Sequence, residues 1–205
     1  MRWLAAMSLA CSAAAAAPPL KPAYDVSLPR EERIRLAESA APTEVSGKAT
    51  VYVLERTGYA KVRDGTNGFT CLVDRETPWN CEPSCFDAEG TATTVPARIF
   101  VEALRAQGKN EEEVKAALDE GYKSGRFKAP RKGGIVYMLS DSNYLRFNDK
   151  ILHGPPHLMF YAPYATDKDI GSPPPGIKMP MVIHAGRPDA YIIAIPGNAE
   201  HAAHG

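Results

Sequence analysis

The stretch from Gly68 to Gly90, GFTCLVDRETPWNCEPSCFDAEG, constrains the fold more than any other part of the chain. It carries Cys71, Cys81 and Cys85, and it marks the change from β-forming to helix-forming residues. Phe69-Thr-Cys-Leu-Val73 reads as a strand. At period two, Phe69, Cys71 and Val73 share an apolar face, so Cys71 reads as a small buried hydrophobe. Cys81 and Cys85 fall in a stretch marked by Pro78 and Pro83, which reads as a loop. Their C-x3-C spacing differs from both the redox C-x-x-C motif and the cysteine pairs of zinc ribbons. The favoured pairing is therefore a local Cys81–Cys85 disulfide, with Cys71 as a core thiol. The alternative joins Cys71 to Cys85 and stitches the loop to the sheet. Spacing does not decide between them, because pairing depends on Cα separation and side-chain direction.

The chain has 205 residues, of which 44% are hydrophobic, enough for one domain with its own core. Its 24 basic residues are balanced by 24 acidic ones. Such a balance provides no electrostatic footprint for nucleic acid. Residues 1–17 read as a signal peptide: Met1-Arg2 is a short basic start, and Leu4 to Ala17 is an apolar run ending in small residues. Export with cleavage near Ala17 is the expectation, to the periplasm or the extracellular space, where disulfides persist. Ser8-Leu9-Ala10-Cys11 gives the lesser alternative of a lipid anchor on Cys11. No later stretch is long and apolar enough to span a membrane.

Residues 18–47 read as a proline-rich spacer followed by a helix over 29–41. Pro29 suits the first helical turn and Pro42 the stop. Residues 48–196 read as a single α+β domain, and 197–205 as a polar tail. Thr50–Leu54, Tyr59–Arg63 and Phe69–Val73 are expected to form an antiparallel meander, turned by Arg56-Thr57-Gly58 and by Asp64-Gly65 with Asn67-Gly68. A helix is expected to open at Thr94-Val95-Pro96, with Ile99, Phe100, Ala103 and Leu104 as its apolar stripe. A second starts at Asn110, whose spacing to Glu113 suits a capping box. Further strands are read at 135–139, 157–162, 181–184 and 190–195. Residues 141–150 read as polar turn, and 163–180 as a long proline-bearing loop. Leaving aside the short 181–184 segment, the order is helix, three strands, two helices, three strands. This predicts a mainly antiparallel sheet of about six strands with two or three helices. In outline that layout resembles small ligand-sensing folds of the PAS or profilin type, and an outline carries no function.

Three constellations can carry chemistry. The first is a thiol site, with Cys85 as nucleophile and His157 or His184 as base. The second is a soft-metal site for copper, from Met179, Met181 and His184, with His157 and Met159 on another strand. On a regular strand His184 would face away from Met181, so this set needs a bend. The tail adds His201 and His204. The third is an aromatic pocket for a small ligand, framed by Trp79, Tyr161 and Tyr164. No P-loop, H-E-x-x-H, C-x2-C pair or G-x-S-x-G is present, so no cofactor is specified. The expectation is a small-ligand-binding or sensor-like module, with a thiol enzyme and a copper-binding protein as alternatives.

Overall fold

The computed structural model describes residues 22–171 and 180–195. The expected leader, Cys11, Met179, His201 and His204 lie outside the described residues. In chain order the elements are α1 (Arg30–Glu38), α2 (Thr43–Ser46), β1 (Thr50–Glu55), β2 (Gly58–Arg63), β3 (Thr70–Asp74), β4 (Glu82–Phe86), α3 (Ala88–Ala106) and α4 (Glu111–Lys123). There follow β5 (Ile135–Met138), β6 (Tyr144–Phe147), β7 (Lys150–His153), β8 (His157–Tyr161), β9 (Met181–Ile183) and β10 (Tyr191–Ala194). The class is α+β with a mainly antiparallel sheet. That sheet has eight strands in the order β2-β1-β3-β4-β5-β8-β10-β9, and β6 and β7 form a separate hairpin.

Several expectations are corrected. β1 and β2 form the predicted hairpin, but β3 pairs with β1 in parallel rather than continuing a meander. The segment read as a loop is β4, antiparallel to β3 through Cys71↔Cys85 and Asp74↔Glu82. Pro83 is tolerated there because β5 pairs only with Cys85 and Phe86, so its missing N–H costs no bond in that ladder. The polar 141–150 stretch is most of a hairpin, in which Phe147 pairs with Lys150 across Asn148 and Asp149. Asn148 takes the left-handed conformation (φ 53°) that such a turn needs.

α3 starts a turn and a half earlier than expected. Asp87 caps it by accepting from the Gly90 N–H, and the helix runs through Pro96. Its buried side is also turned from the predicted stripe: Val95 and Ile99 pack on the sheet, while Phe100 meets Phe127. The helix is covered on two sides, by the sheet and by the α4 region, so one stripe cannot describe it. The α4 start is as read, with Asn110 and Glu113 exchanging side-chain and backbone hydrogen bonds.

The two faces of the sheet follow the period-two split of each strand. Leu72, Phe86, Val136, Tyr161 and Tyr191 point to the α3 side. Cys71 and Cys85 point to the other, where they pack with Ala40 and Ala49, and Ala37 of α1 lies with Val51 and Val73. α1, thin in apolar residues, is therefore seated on the sheet. Small side chains suit it to this, since they let the helix come close to the strands. Cys71 and Cys85 sit directly opposite each other in register, 4.0 Å apart at Cα, and form the disulfide. This is the alternative pairing. The favoured Cys81–Cys85 bridge is not formed, and Cys81 is a buried free thiol.

Candidate functional site

α3 packs on β2, β3 and β4. It also covers Tyr161 of β8 and Tyr191 of β10; beyond them the same face is left open, and there lies a cleft of about 460 Å³. Its floor follows from the ladder. Met138 opposes His157, and Met159 opposes Ile193, which in turn opposes Met181. The β6–β7 hairpin supplies one wall through Leu145 and Phe147. Asn80 ties that hairpin to the cleft, its side-chain oxygen accepting from the Arg146 N–H at 2.9 Å.

One end of the cleft is ionisable. Asp74 and Glu82 close the β3–β4 ladder opposite each other. Glu82 accepts hydrogen bonds on one oxygen from the Glu76 N–H and from Asn80 Nδ2, both at 2.9 Å. Burial, with the Asp74 carboxylate beside it, pushes its pKa up to about 7. Arg98 projects from α3 with its Nε 3.0 Å from Asp74 Oδ2. Burial raises the Asp74 pKa, and Arg98 opposes that shift.

His184 follows directly after β9 in a left-handed conformation (φ 54°), which costs about 1–3 kcal/mol for a residue of this kind. The turn swings its ring between two carboxylates. Nε2–H donates to Glu76 Oε1 at 3.0 Å, and Nδ1 lies 3.2 Å from Asp189 Oδ2. Burial works against the charge, but these bonds to Asp189 and Glu76 prevail and raise its pKa to about 9. It is an imidazolium at neutral pH. Its hydrogen bond holds Glu76 below the usual carboxylate range, and Asp189, although buried, is held well below it. His157 is the opposite case. Its Nδ1–H donates to the Pro155 carbonyl at 2.8 Å, and burial lowers its pKa, so the ring is neutral.

The sequence constellations are only partly assembled. Cys85 is bonded to Cys71 on the far face of the sheet, so it forms no nucleophile–base pair with His157 or His184. The remaining thiol, Cys81, has its pKa pushed up to about 12 by burial and by Glu82, which opposes the thiolate. Trp79, Tyr161 and Tyr164 do not frame a pocket. Trp79 lies under the Arg146 guanidinium, Tyr161 is in the core with its hydroxyl donating to Asp87, and Tyr164 is 61% exposed. Met159, Met181, His157 and His184 do border one cleft, and the left-handed His184 is the bend they needed. Both His184 nitrogens are already occupied by carboxylates, however. Among the described residues, no group of three or more His, Cys, Asp or Glu is placed to hold a metal ion.

Arg98, Glu82, Asp74 and Met138 were missed from sequence. A signal existed for Arg98. It lies with Val95, Ile99 and Glu102 at i, i+3, i+4 and i+7, so two charges interrupt a helical stripe, where charges are rarely buried unpaired.

The raised Glu82 pKa has a testable sign. Its folded value of about 7 exceeds the ordinary 4.5. The stability it contributes is therefore complete below the unfolded pKa and is lost as pH rises through 7. Glu82→Gln should leave stability nearly unchanged at acid pH and raise it above neutrality, by on the order of 1–3 kcal/mol. Urea denaturation of both proteins at acid and alkaline pH checks this. A difference that does not grow with pH would show that Glu82 ionises freely.

Compared with known proteins, the chain matches no family model, no curated protein and no solved structure.

Proposed function

We propose that this protein is a non-catalytic binding module for a small amphipathic ligand, working outside the cytoplasm. The observation that carries the reading is the cleft. Apolar strand residues left uncovered by α3 meet a buried band of ionisable groups in a space of about 460 Å³, within the range of small-molecule sites. Met138, Met159 and Ile193 offer an apolar surface for the body of the ligand. The Glu82 end offers polar contacts for its head. The Cys71–Cys85 bridge supports an oxidising compartment, since such bridges are rare in the cytosol.

Nile red, an uncharged polarity-sensitive dye, tests the reading. Saturable binding with a blue-shifted emission is expected at about one dye per chain. Ile193→Trp fills the cleft and should abolish it. Phe160, 39% exposed on the opposite face, serves as the control, and Phe160→Ser should leave binding intact. Binding that survives Ile193→Trp, or that Phe160→Ser removes, would count against the cleft.

A further inference from the structure

Arg98 is placed in a way that the fold alone does not require. Its side chain is only 12% exposed, and among the described residues Asp74 is its one ion-pair partner. Its Nε, though close to Asp74, is not aligned for a hydrogen bond. Among the described residues, its terminal nitrogens make no hydrogen bond either. Arg105 and Arg75, of similar exposure, differ. Arg105 bonds to Glu102, Glu111 and the carbonyls of Arg75 and Glu76, and Arg75 to Glu102 and the Pro78 carbonyl. Only the Nε is buried without a partner; the terminal nitrogens open on the cleft, where water or a ligand can fill them. The guanidinium borders the cleft where its apolar floor begins.

We propose that the cleft takes an amphipathic monocarboxylate, with the carboxylate on the terminal nitrogens of Arg98 and the apolar body along Met138, Met159 and Ile193. This rests on the binding reading above and names the chemical class of its ligand. A planar fork of N–H donors matches the two oxygens of a carboxylate better than any other common head group.

The protonation of Glu82 bears on whether an anion is accepted beside Arg98. Asp74 from β3 and Glu76 from the β3–β4 connection lie beside Glu82, and the same cleft is lined by Arg98 from α3, Arg146 from the hairpin, His157 from β8 and His184 beyond β9, with Asp189 on the His184 ring. Arg98 is balanced by Asp74, the His184 imidazolium lies between Glu76 and Asp189, and Arg146 lies near Asp149, so no cation is left over to offset an ionised Glu82. With Glu82 ionised, two carboxylates face each other across the end of the β3–β4 ladder. Cys81 stays a neutral thiol and His157 a neutral ring, so neither adds a charge. A carboxylate on Arg98 lies beside Asp74, the neighbour of Glu82, so ionised Glu82 repels it and its affinity falls as the Glu82 proton is lost.

The test compares decanoate, 1-decanol and decylamine by calorimetry on the whole chain. Decanoate should bind about ten-fold or more tightly than decanol, the factor expected for hydrogen bonds to a charged group. Arg98→Met should erase that preference and keep decanol binding. Because it strands Asp74, the paired variant Arg98→Met with Asp74→Asn is made as well, and it should behave alike. Decanoate affinity should fall between about pH 6 and about pH 8, where decanoate itself stays ionised, and Glu82→Gln should flatten that fall. Equal affinity for decanoate and decanol, or a preference for decylamine, overturns the carboxylate assignment and leaves the binding reading standing. A flat decanoate profile in the parent protein overturns the role of Glu82. If none of the three binds, both the assignment and the binding reading fail.

Discussion

Replacing Glu102 with leucine is expected to destabilise the protein by about 3–5 kcal/mol, the usual cost of stranding buried charge. Glu102 is 2% exposed and lies between two guanidiniums. Arg75 bonds to both of its oxygens, and Arg105 Nη1 donates to Oε1 at 2.6 Å. Arg105 also donates to the carbonyls of Arg75 and Glu76, at 2.8 and 2.9 Å. Glu102 thus holds α3 to the connection that carries Glu76, the partner of His184. Its loss should loosen one end of the cleft as well as the helix. Substituting Glu102, Arg75 and Arg105 together by leucine and methionines should cost far less, because no buried charge is left alone. Urea denaturation of the single and triple variants decides it. A single variant within about 1 kcal/mol of the parent would show that the cluster is solvated and weak.

The second large effect is expected from the disulfide. Cys71 and Cys85 are separated by 14 residues, and closing a loop of about 15 residues is worth about 3 kcal/mol in the chain-entropy model. Cys71→Ala with Cys85→Ala should cost about that much, and the loss should appear in both heat and denaturant unfolding. The bridge joins adjacent strands at the base of α1, where the Cys85 sulfur lies 3.9 Å from the Ala37 carbonyl. Breaking it should therefore loosen α1 before the α3 side of the sheet. Protein beginning at Pro18, unfolded without reductant, should titrate one thiol, and peptide mapping should place it on Cys81. In the folded state that thiol should be almost inert, since burial pushes its pKa up to about 12. A free thiol mapped to Cys71 or Cys85 would refute the pairing.

Much of the fold was legible because local chemistry carries it. The β1–β2 hairpin announced itself through alternation and a turn at Arg56-Thr57-Gly58. α4 announced itself through Asn110 and Glu113, whose hydrogen bonds are three residues apart and need no distant partner. β4 was hidden because Glu-Pro-Ser-Cys-Phe has no strand-like alternation and a proline at its second residue. It is a strand only because β3 lies beside it, and its five residues are all buried. The β6–β7 hairpin was hidden by its polar composition, since a two-stranded ribbon largely exposed to solvent needs no apolar stripe.

The site was less legible than the fold. His157, Met159, Met181 and His184 were singled out by residue type, and they do converge. The convergence depends on one backbone angle at His184, and what surrounds the ring makes it a pinned cation instead of a ligand or base.

By itself the sequence determined the α+β class, the starts of α1 and α4, the β1–β2 turn, and that Cys71 would be buried. These follow from side-chain periodicity and from hydrogen bonds between near neighbours. Only the tertiary structure decided that Cys71 meets Cys85, because a disulfide needs two Cα atoms in register across a ladder. Only it decided that Arg98 reaches Asp74, that Glu76 and Asp189 enclose His184, and that α3 leaves a cleft on the sheet beyond Tyr161 and Tyr191. Those contacts join residues far apart in the chain, and their energies come from burial and charge, which exist only once the strands are assembled.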